Sequence, residues 1–452
     1  MNSIFAKTAL LPDGWASNVT LYLEGGRITD LVTGVQQEAR SSVDILLPAP
    51  TNLHSHAFQR AMAGLTEQRG AEKTDSFWTW RQLMFRFLDK LTPDDVQAIT
   101  AQVQMEMLEA GFAAVAEFHY LHHQPGGRPY DARAEMAQRI CAAADQTGIG
   151  LTLLPVMYMQ GGVDGRALAP GQVRFGNDMD GYMQIMGGAE QAVAALAEDA
   201  RLGVAPHSLR AVTPDALRHL QQYKGPLHMH LAEQKAEVEE VKAAYGARPV
   251  TWALDHLDLG PRWCLIHCTQ MTRTETRGLA QSGAVAGLCP LTESSLGDGI
   301  FNAVEWADAG GTLGIGSDSN ILISLKEELR TLEYSQRLVT QNRAVLATPD
   351  QSTGRVLYDM ACAGGAQAAG RDAGRIAPGH WADLVALGGD ATDFIGRRGD
   401  QLLDTWIFAG TDAAVSDVWA AGRHVVRDGT HVARDAITAA YRATLRRLED
   451  AM

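Results

Sequence analysis

Cysteine is scarce in this 452-residue sequence: there are five, an odd number. That excludes a disulfide framework as the main support of the fold, and a reducing, cytoplasmic setting is expected. Positive charge is also in deficit. Lys plus Arg number 39 against 53 Asp plus Glu, a formal charge of −14, which argues against nucleic acid as a partner. No apolar run is long enough to span a bilayer, so no membrane partner is expected. The opening residues, MNSIFAKTALLPDGW, lack a basic segment followed by an apolar core and do not read as an export signal. The chain has no solenoid-type repeat and no low-complexity tract. It also lacks a glycine-rich phosphate fingerprint after its first strand signal.

What is present is the composition of a globular enzyme, 46% hydrophobic and 20% charged. Apolar runs at 45–53, 112–118, 149–157, 202–206, 226–231, 263–268, 284–289 and 312–317 read as strands. Helix signals separate them. Thr92-Pro93-Asp94-Asp95 combines a cap, a proline at the first helical position and early carboxylates; Thr213-Pro214-Asp215 repeats the device. Near-continuous apolar strands alternating with helices predict an α/β chain, a (β/α)8 TIM barrel, with an open doubly wound sheet as runner-up. The ends differ. Residues 17–34 alternate around a Gly-Gly turn, 382–388 and 414–429 are strand-like, and 432–450 form an amphipathic helix. Both ends are therefore expected to combine into a small β-sandwich domain (1–47 and 375–452) beside a barrel of 48–374. The segments 57–91 and 158–190 exceed ordinary connections and are expected to cover or line the site.

His54 and His56 stand two apart at the end of the first strand, so their imidazoles share a face. His230, His267 and Asp318 follow the ends of three further strands, the face on which barrel enzymes carry their chemistry. Imidazoles with a carboxylate suit Zn²⁺, and Fe²⁺ or Mn²⁺ would accept the same donors. The fourth strand ends VAPHS, with no lysine to bridge a second ion, so one metal is expected. His228, deeper in its strand, reads as a packed residue. Cys264 and Cys268 read as buried structural thiols, and His122 and His123 as solvated loop residues.

Together His54-x-His56, His230-x-x-Glu233, His267 and Ser317-Asp318 resemble the amidohydrolase superfamily in its deaminase branch. The runs NLHSHAFQRAMAGLTE, FWTWR, EFHYLHH, PHSLRAV and HMHLAEQ are similar to those of the formimidoylglutamate deiminases (N-formimino-L-glutamate iminohydrolases) of histidine degradation. The resemblance covers essentially the whole chain. It implies a zinc-dependent hydrolase of a linear amidine C–N bond that yields N-formyl-L-glutamate and ammonia. It further implies one Zn²⁺ per subunit on His54, His56, His230 and Asp318, with Glu233, His267 and Asp318 as the catalytic groups, and a homodimer. Glu233 would shuttle a proton, His267 would polarise water and Asp318 would also take the water's proton. Gln59, Arg81, Tyr120, His207 and Arg210 would contact the substrate. A dicarboxylate approaching so acidic a chain needs local guanidinium groups, and Arg81 and Arg210 fit that need. Trp78 and Trp80 would pack the first long segment over the pocket. The alternative on the same scaffold is a nucleobase or other cyclic amidine deaminase.

Overall fold

A computed structural model describes residues 2–67, 77–389 and 392–451. The chain opens with β1 (Asn2–Leu11), β2 (Gly14–Glu24), β3 (Arg27–Val32) and β4 (Ser41–Pro48). The β2–β3 turn is the expected Gly25-Gly26, both at positive φ, where a side chain on Gly26 would meet the Ala421 carbonyl at 2.7 Å. The middle of the chain supplies β5 (Thr51–Ser55), β6 (Ala114–His119), β7 (Gly150–Met157), β8 (Arg201–Leu202), β9 (Ala205–Pro206), β10 (Leu227–Leu231), β11 (Trp263–His267), β12 (Val285–Leu288) and β13 (Thr312–Ile315). The end adds β14 (Leu384–Leu387), β15 (Val415–Ala420), β16 (Arg423–Arg427) and β17 (Thr430–His431), then the helix Arg434–Ala451.

The middle strands pair in parallel, β5-β6-β7-β8 with β9 also on β7, and β10-β11-β12-β13. Single bridges, Val204 to Leu227 and Ser55 to Asp318, join the two sheets at both margins, so the strand series returns on itself in a TIM-barrel-like arrangement. Strands β5, β6, β7, β10, β11 and β12 are buried along their whole length, as parallel strands covered by helices are. The caps behave as read. Thr92 closes a capping box with Asp95 on the helix Pro93–Glu109, and Thr213 caps Pro214–Leu220. The helix Thr353–Ala369 lies directly on the strands because Gly364 and Gly365 face them. A Cβ at Gly364 would stand 1.9 Å from the Leu313 carbonyl oxygen.

Both chain ends enter one sheet, ordered β17-β16-β15-β14-β4-β1-β2-β3. Hydrogen bonding makes it a single path of eight strands. The difference from the sequence reading is local. Residues 45–53, read as one strand, are two: β4 belongs to the end sheet, β5 to the parallel set, and the chain changes sheets at Ala49-Pro50. Residues 202–206 likewise divide into two short pieces, β8 and β9.

A buried ion network ties the end sheet to the parallel strands. The Arg371 guanidinium is wholly buried and donates to Asp383 Oδ2 at 2.9 Å and Asp199 Oδ2 at 3.2 Å, and Arg423 meets Asp199 at 2.8 Å. All five cysteines are buried and free. No helix among the described residues is long and apolar enough to cross a membrane.

Candidate active site

The site lies at the C-terminal ends of the parallel strands. Strand β5 carries His54 and delivers His56 one residue past its end; β10 carries His230; β11 ends on His267; and Asp318 follows β13. The Asp318 turn is stitched to β5. Its N–H and that of Ser317 both donate to the His54 carbonyl, at 2.9 and 3.1 Å, and the His56 N–H returns a bond to the Asp318 carbonyl at 2.9 Å. Asn52 donates to the Ser317 hydroxyl at 2.7 Å, which donates to Asn320 Oδ1 at 2.6 Å. Such bracing is needed because Asp318 (φ 45) and His267 (φ 70) sit in the left-handed region, which non-glycine residues seldom occupy.

Ligating atoms of His54, His56, His230 and Asp318 all lie within 4.8 Å of one another, and all four residues are buried. His54 Nε2 is 3.1 Å from His230 Nε2 and 3.5 Å from Asp318 Oδ1, and His56 Nε2 is 3.2 Å from that oxygen. Donors at about 2.1 Å from one tetrahedral ion stand roughly 3.4 Å apart, so the spacing fits one cation. The tautomers fit too. His56 Nδ1 donates to the Phe118 carbonyl at 2.9 Å and His230 Nδ1 to the His207 carbonyl at 3.1 Å. A carbonyl only accepts, so each Nδ1 carries the hydrogen and each Nε2 presents its lone pair to the centre. Burial pushes His54, His56 and His230 below the usual histidine range, which keeps them neutral donors. Cys289 and His267 form a second grouping around Asp318. There burial holds the thiol well above its ordinary range.

Beside this set stand two further groups. His267 Nε2 is 3.9 Å from Glu233 Oε1 and 3.8 Å from Asp318 Oδ2, and its Nδ1 is 3.3 Å from Glu293 Oε1. Burial pulls His267 down, but the carboxylates of Glu233, Glu293 and Asp318 outweigh it and hold the imidazole well above its ordinary range. Burial raises Glu233, with His267 and Arg210 opposing. The Glu233 main chain is fixed by Glu237, whose carboxylate accepts the Ala232 and Glu233 N–H groups at 3.2 and 2.9 Å.

One cavity opens onto these groups. Gln59, Arg81, Tyr120, His207, Arg210, His56, His230, Glu233, His267 and Asp318 all line it. Of the metal, catalytic and substrate candidates named from sequence only His54 does not; it is fully buried behind the lining residues. Gln59 donates to the Tyr120 hydroxyl at 2.7 Å, and Arg81 to the Tyr158 hydroxyl at 2.9 Å. Trp80 forms part of the wall, whereas the side chain of Trp78 lies outside the described residues. Sequence reasoning missed Tyr158, Phe175 and Met84 in this wall, and Glu293 behind His267. Tyr158 directly follows β7, so the strand-end rule that found the histidines would have found it.

His228 is packed as read: its Nε2 donates to the Ala368 carbonyl at 2.8 Å, and burial lowers its pKa to about 4. His122 and His123 are not solvated. Both are buried, His122 on the Val156 carbonyl at 2.9 Å and His123 on Gly176 at 2.9 Å, because the second long segment folds back over them.

Comparison with known proteins agrees with this geometry. Residues 45–425 match the family described as "Amidohydrolase family", and residues 1–41 match "Formimidoylglutamate deiminase HutF, N-terminal domain". A formimidoylglutamate deiminase of Pseudomonas aeruginosa is 45% identical over 456 residues, spanning 100% of both chains. An amidohydrolase of Brucella melitensis, known as a crystal structure, is 49% identical with a TM-score of 0.95, covering 99% of this chain and 100% of its own. An adenosine deaminase of Xanthomonas campestris, crystallised with zinc, shares the fold at 21% identity and a TM-score of 0.83, covering 99% and 98%.

Proposed function

The chain belongs to the amidohydrolase family and, within it, to the formimidoylglutamate deiminases, and from that premise we propose how its cavity works. The reaction is hydrolysis of N-formimino-L-glutamate to N-formyl-L-glutamate and ammonia, a step of histidine degradation. The observation that carries this reading is a single cavity with three imidazoles and a carboxylate at its floor and Arg81 and Arg210 in its wall. Two arginines match a substrate with two carboxylates. A neutral cyclic amidine, the alternative, makes no use of them.

We assign His54, His56, His230 and Asp318 as the holders of one Zn²⁺ per subunit, a donor set that also accepts Fe²⁺ or Mn²⁺. A divalent ion held there supplies the Lewis acidity that ionises water near neutral pH. His267 orients the attacking oxygen through Nε2, which its Nδ1 contact with Glu293 turns toward the cavity. Asp318 takes a proton from the water. The water oxygen bonds to the formimino carbon, and the terminal nitrogen leaves with its bonding pair as ammonia. The terminal nitrogen gains one proton from Glu233 and one by way of Asp318, and the hydroxyl proton left on the adduct returns to Glu233, so the two protons drawn overall are those of the water. Burial favours the protonated form of Glu233, which suits a general acid. Gln59, Tyr120, His207, Arg81 and Arg210 are assigned to substrate binding.

We read the parallel strands as a closed (β/α)8 barrel of residues 48–374. Residues 1–47 and 375–452 are read as a small sandwich, one sheet folded over the cluster of Ile4, Val19, Leu21, Leu46, Leu384 and Trp419. Five buried free thiols support a cytoplasmic setting. A homodimer is proposed by family resemblance alone. The experiment is incubation of metal-loaded enzyme with N-formimino-L-glutamate while ammonia and N-formyl-L-glutamate are measured together. Equimolar release supports the reading. Formamide with glutamate, or no turnover, contradicts it.

A further inference from the structure

Tyr158 is the first residue after β7, where the second long segment begins. Its hydroxyl oxygen receives two donors, Arg81 Nη2 at 2.9 Å and Gln172 Nε2 at 2.7 Å. The orientation of Gln172 is fixed, because its Oε1 accepts the Ala169 N–H at 2.8 Å and only the amide nitrogen is left to face Tyr158. Arginine has no acceptor. A phenol oxygen that accepts twice has its single hydrogen left over as a donor. Tyr158 is 3% exposed and lines the cavity, and its ring stands edge-on to His207 at 4.6 Å. Among the described residues no acceptor takes the hydroxyl hydrogen, a state that buried donors rarely keep without a ligand.

We propose that Tyr158 is a specificity-determining residue whose O–H donates to the substrate carboxylate that Arg81 engages, and that Gln172 is the positioning residue that aims it. The inference rests on the dicarboxylate reading above and deepens it. Arg81 alone would attract any anion. A hydroxyl held beside it adds a second donor at a fixed angle, which a planar carboxylate satisfies with its two oxygens. Gln172 sits in the turn Pro170–Gln172 and Arg81 on the helix Phe77–Leu88, so the two long segments meet at this oxygen. Each segment thereby acquires a function: one supplies the charge and the other aims the neutral donor.

The test uses metal-loaded enzyme, wild type, Tyr158→Phe and Gln172→Ala. Turnover of N-formimino-L-glutamate is measured alongside calorimetric binding of N-formyl-L-glutamate and two analogues. N-formyl-L-norvaline lacks the distal carboxylate, and 4-(formylamino)butanoate lacks the other. Loss of one charge-assisted hydrogen bond should weaken N-formyl-L-glutamate and one of the analogues about 10–100-fold in Tyr158→Phe, and the second analogue by less than about 3-fold. KM should rise in step while kcat changes less. Gln172→Ala, which keeps the hydroxyl but not its aim, should give the same pattern at smaller size. Equal weakening of both analogues, or none, with melting temperature and metal content retained, overturns the inference. If wild type binds as expected but does not turn over, the proposed reaction falls and the Tyr158 assignment stands. If it turns over without the selective pattern, only Tyr158 falls. If it binds none of the three, both fall.

Discussion

Replacing Glu233 by glutamine isolates proton delivery from every other property of the site. The residue is 4% exposed, and its Oε1 lies 3.9 Å from His267 Nε2. Glutamine keeps its volume and its hydrogen-bonding reach but has no proton to give. A positioned acid typically contributes about 10²–10⁴-fold, so kcat should fall by that factor, roughly 2.7–5.4 kcal/mol of barrier. KM for a dicarboxylate should stay level, because burial already favours the neutral, protonated Glu233 and glutamine leaves the charge beside Arg210 as it was. The assay is ammonia release under saturating substrate, with bound metal measured on the same samples. A loss of kcat below tenfold with full metal content would refute the assignment of Glu233, and so would a loss explained by missing metal.

Further outcomes are expected. Asp318→Asn should lower bound metal and activity together, and chelation of the wild type should abolish turnover that added Zn²⁺ restores, both read by elemental analysis beside the ammonia assay. Glu117, buried behind β5, accepts the Ala57 N–H at 2.7 Å, and burial raises its pKa from 4.5 to about 8. The folded state therefore holds a proton that the unfolded state releases. The resulting stability is fully present below about pH 4.5 and is lost as pH rises through about 8. Glu117→Gln should consequently gain on the wild type in melting temperature from pH 5 to pH 8; a constant offset would contradict this. Arg371→Met strips a buried cation from Asp383 and Asp199 and should cost about 3–5 kcal/mol, seen as a fall of several degrees in the calorimetric melt, whereas an unchanged melt would show that the network is not needed.

Much of the site was legible because its chemistry obeys a position rule. His54, His56, His230, His267 and Asp318 each stand at a strand end, and the strands are apolar enough to be seen in one dimension. The caps at Thr92 and Thr213 were legible for the same local reason. The change of sheet at Ala49-Pro50 was not, since both sides are apolar and extended, and only hydrogen-bond partners distinguish them. His122 and His123 misled because their partners lie far later in the chain, Val156 for the His122 ring, Gly176 and Asn177 for the His123 ring, and the Arg174 carbonyl for both N–H groups. Glu293 was hidden similarly. It is one carboxylate in the short helix Pro290–Leu296 and gains meaning only where that helix sets it against His267.

The most direct test of the account is diffraction from crystals of the enzyme with N-formyl-L-glutamate, recorded at the absorption edge of the metal it carries. The account predicts one anomalous peak per subunit among His54, His56, His230 and Asp318, with the two ligand carboxylates on Arg81 and Arg210. A peak elsewhere, or a ligand whose carboxylates turn away from both arginines, would contradict it.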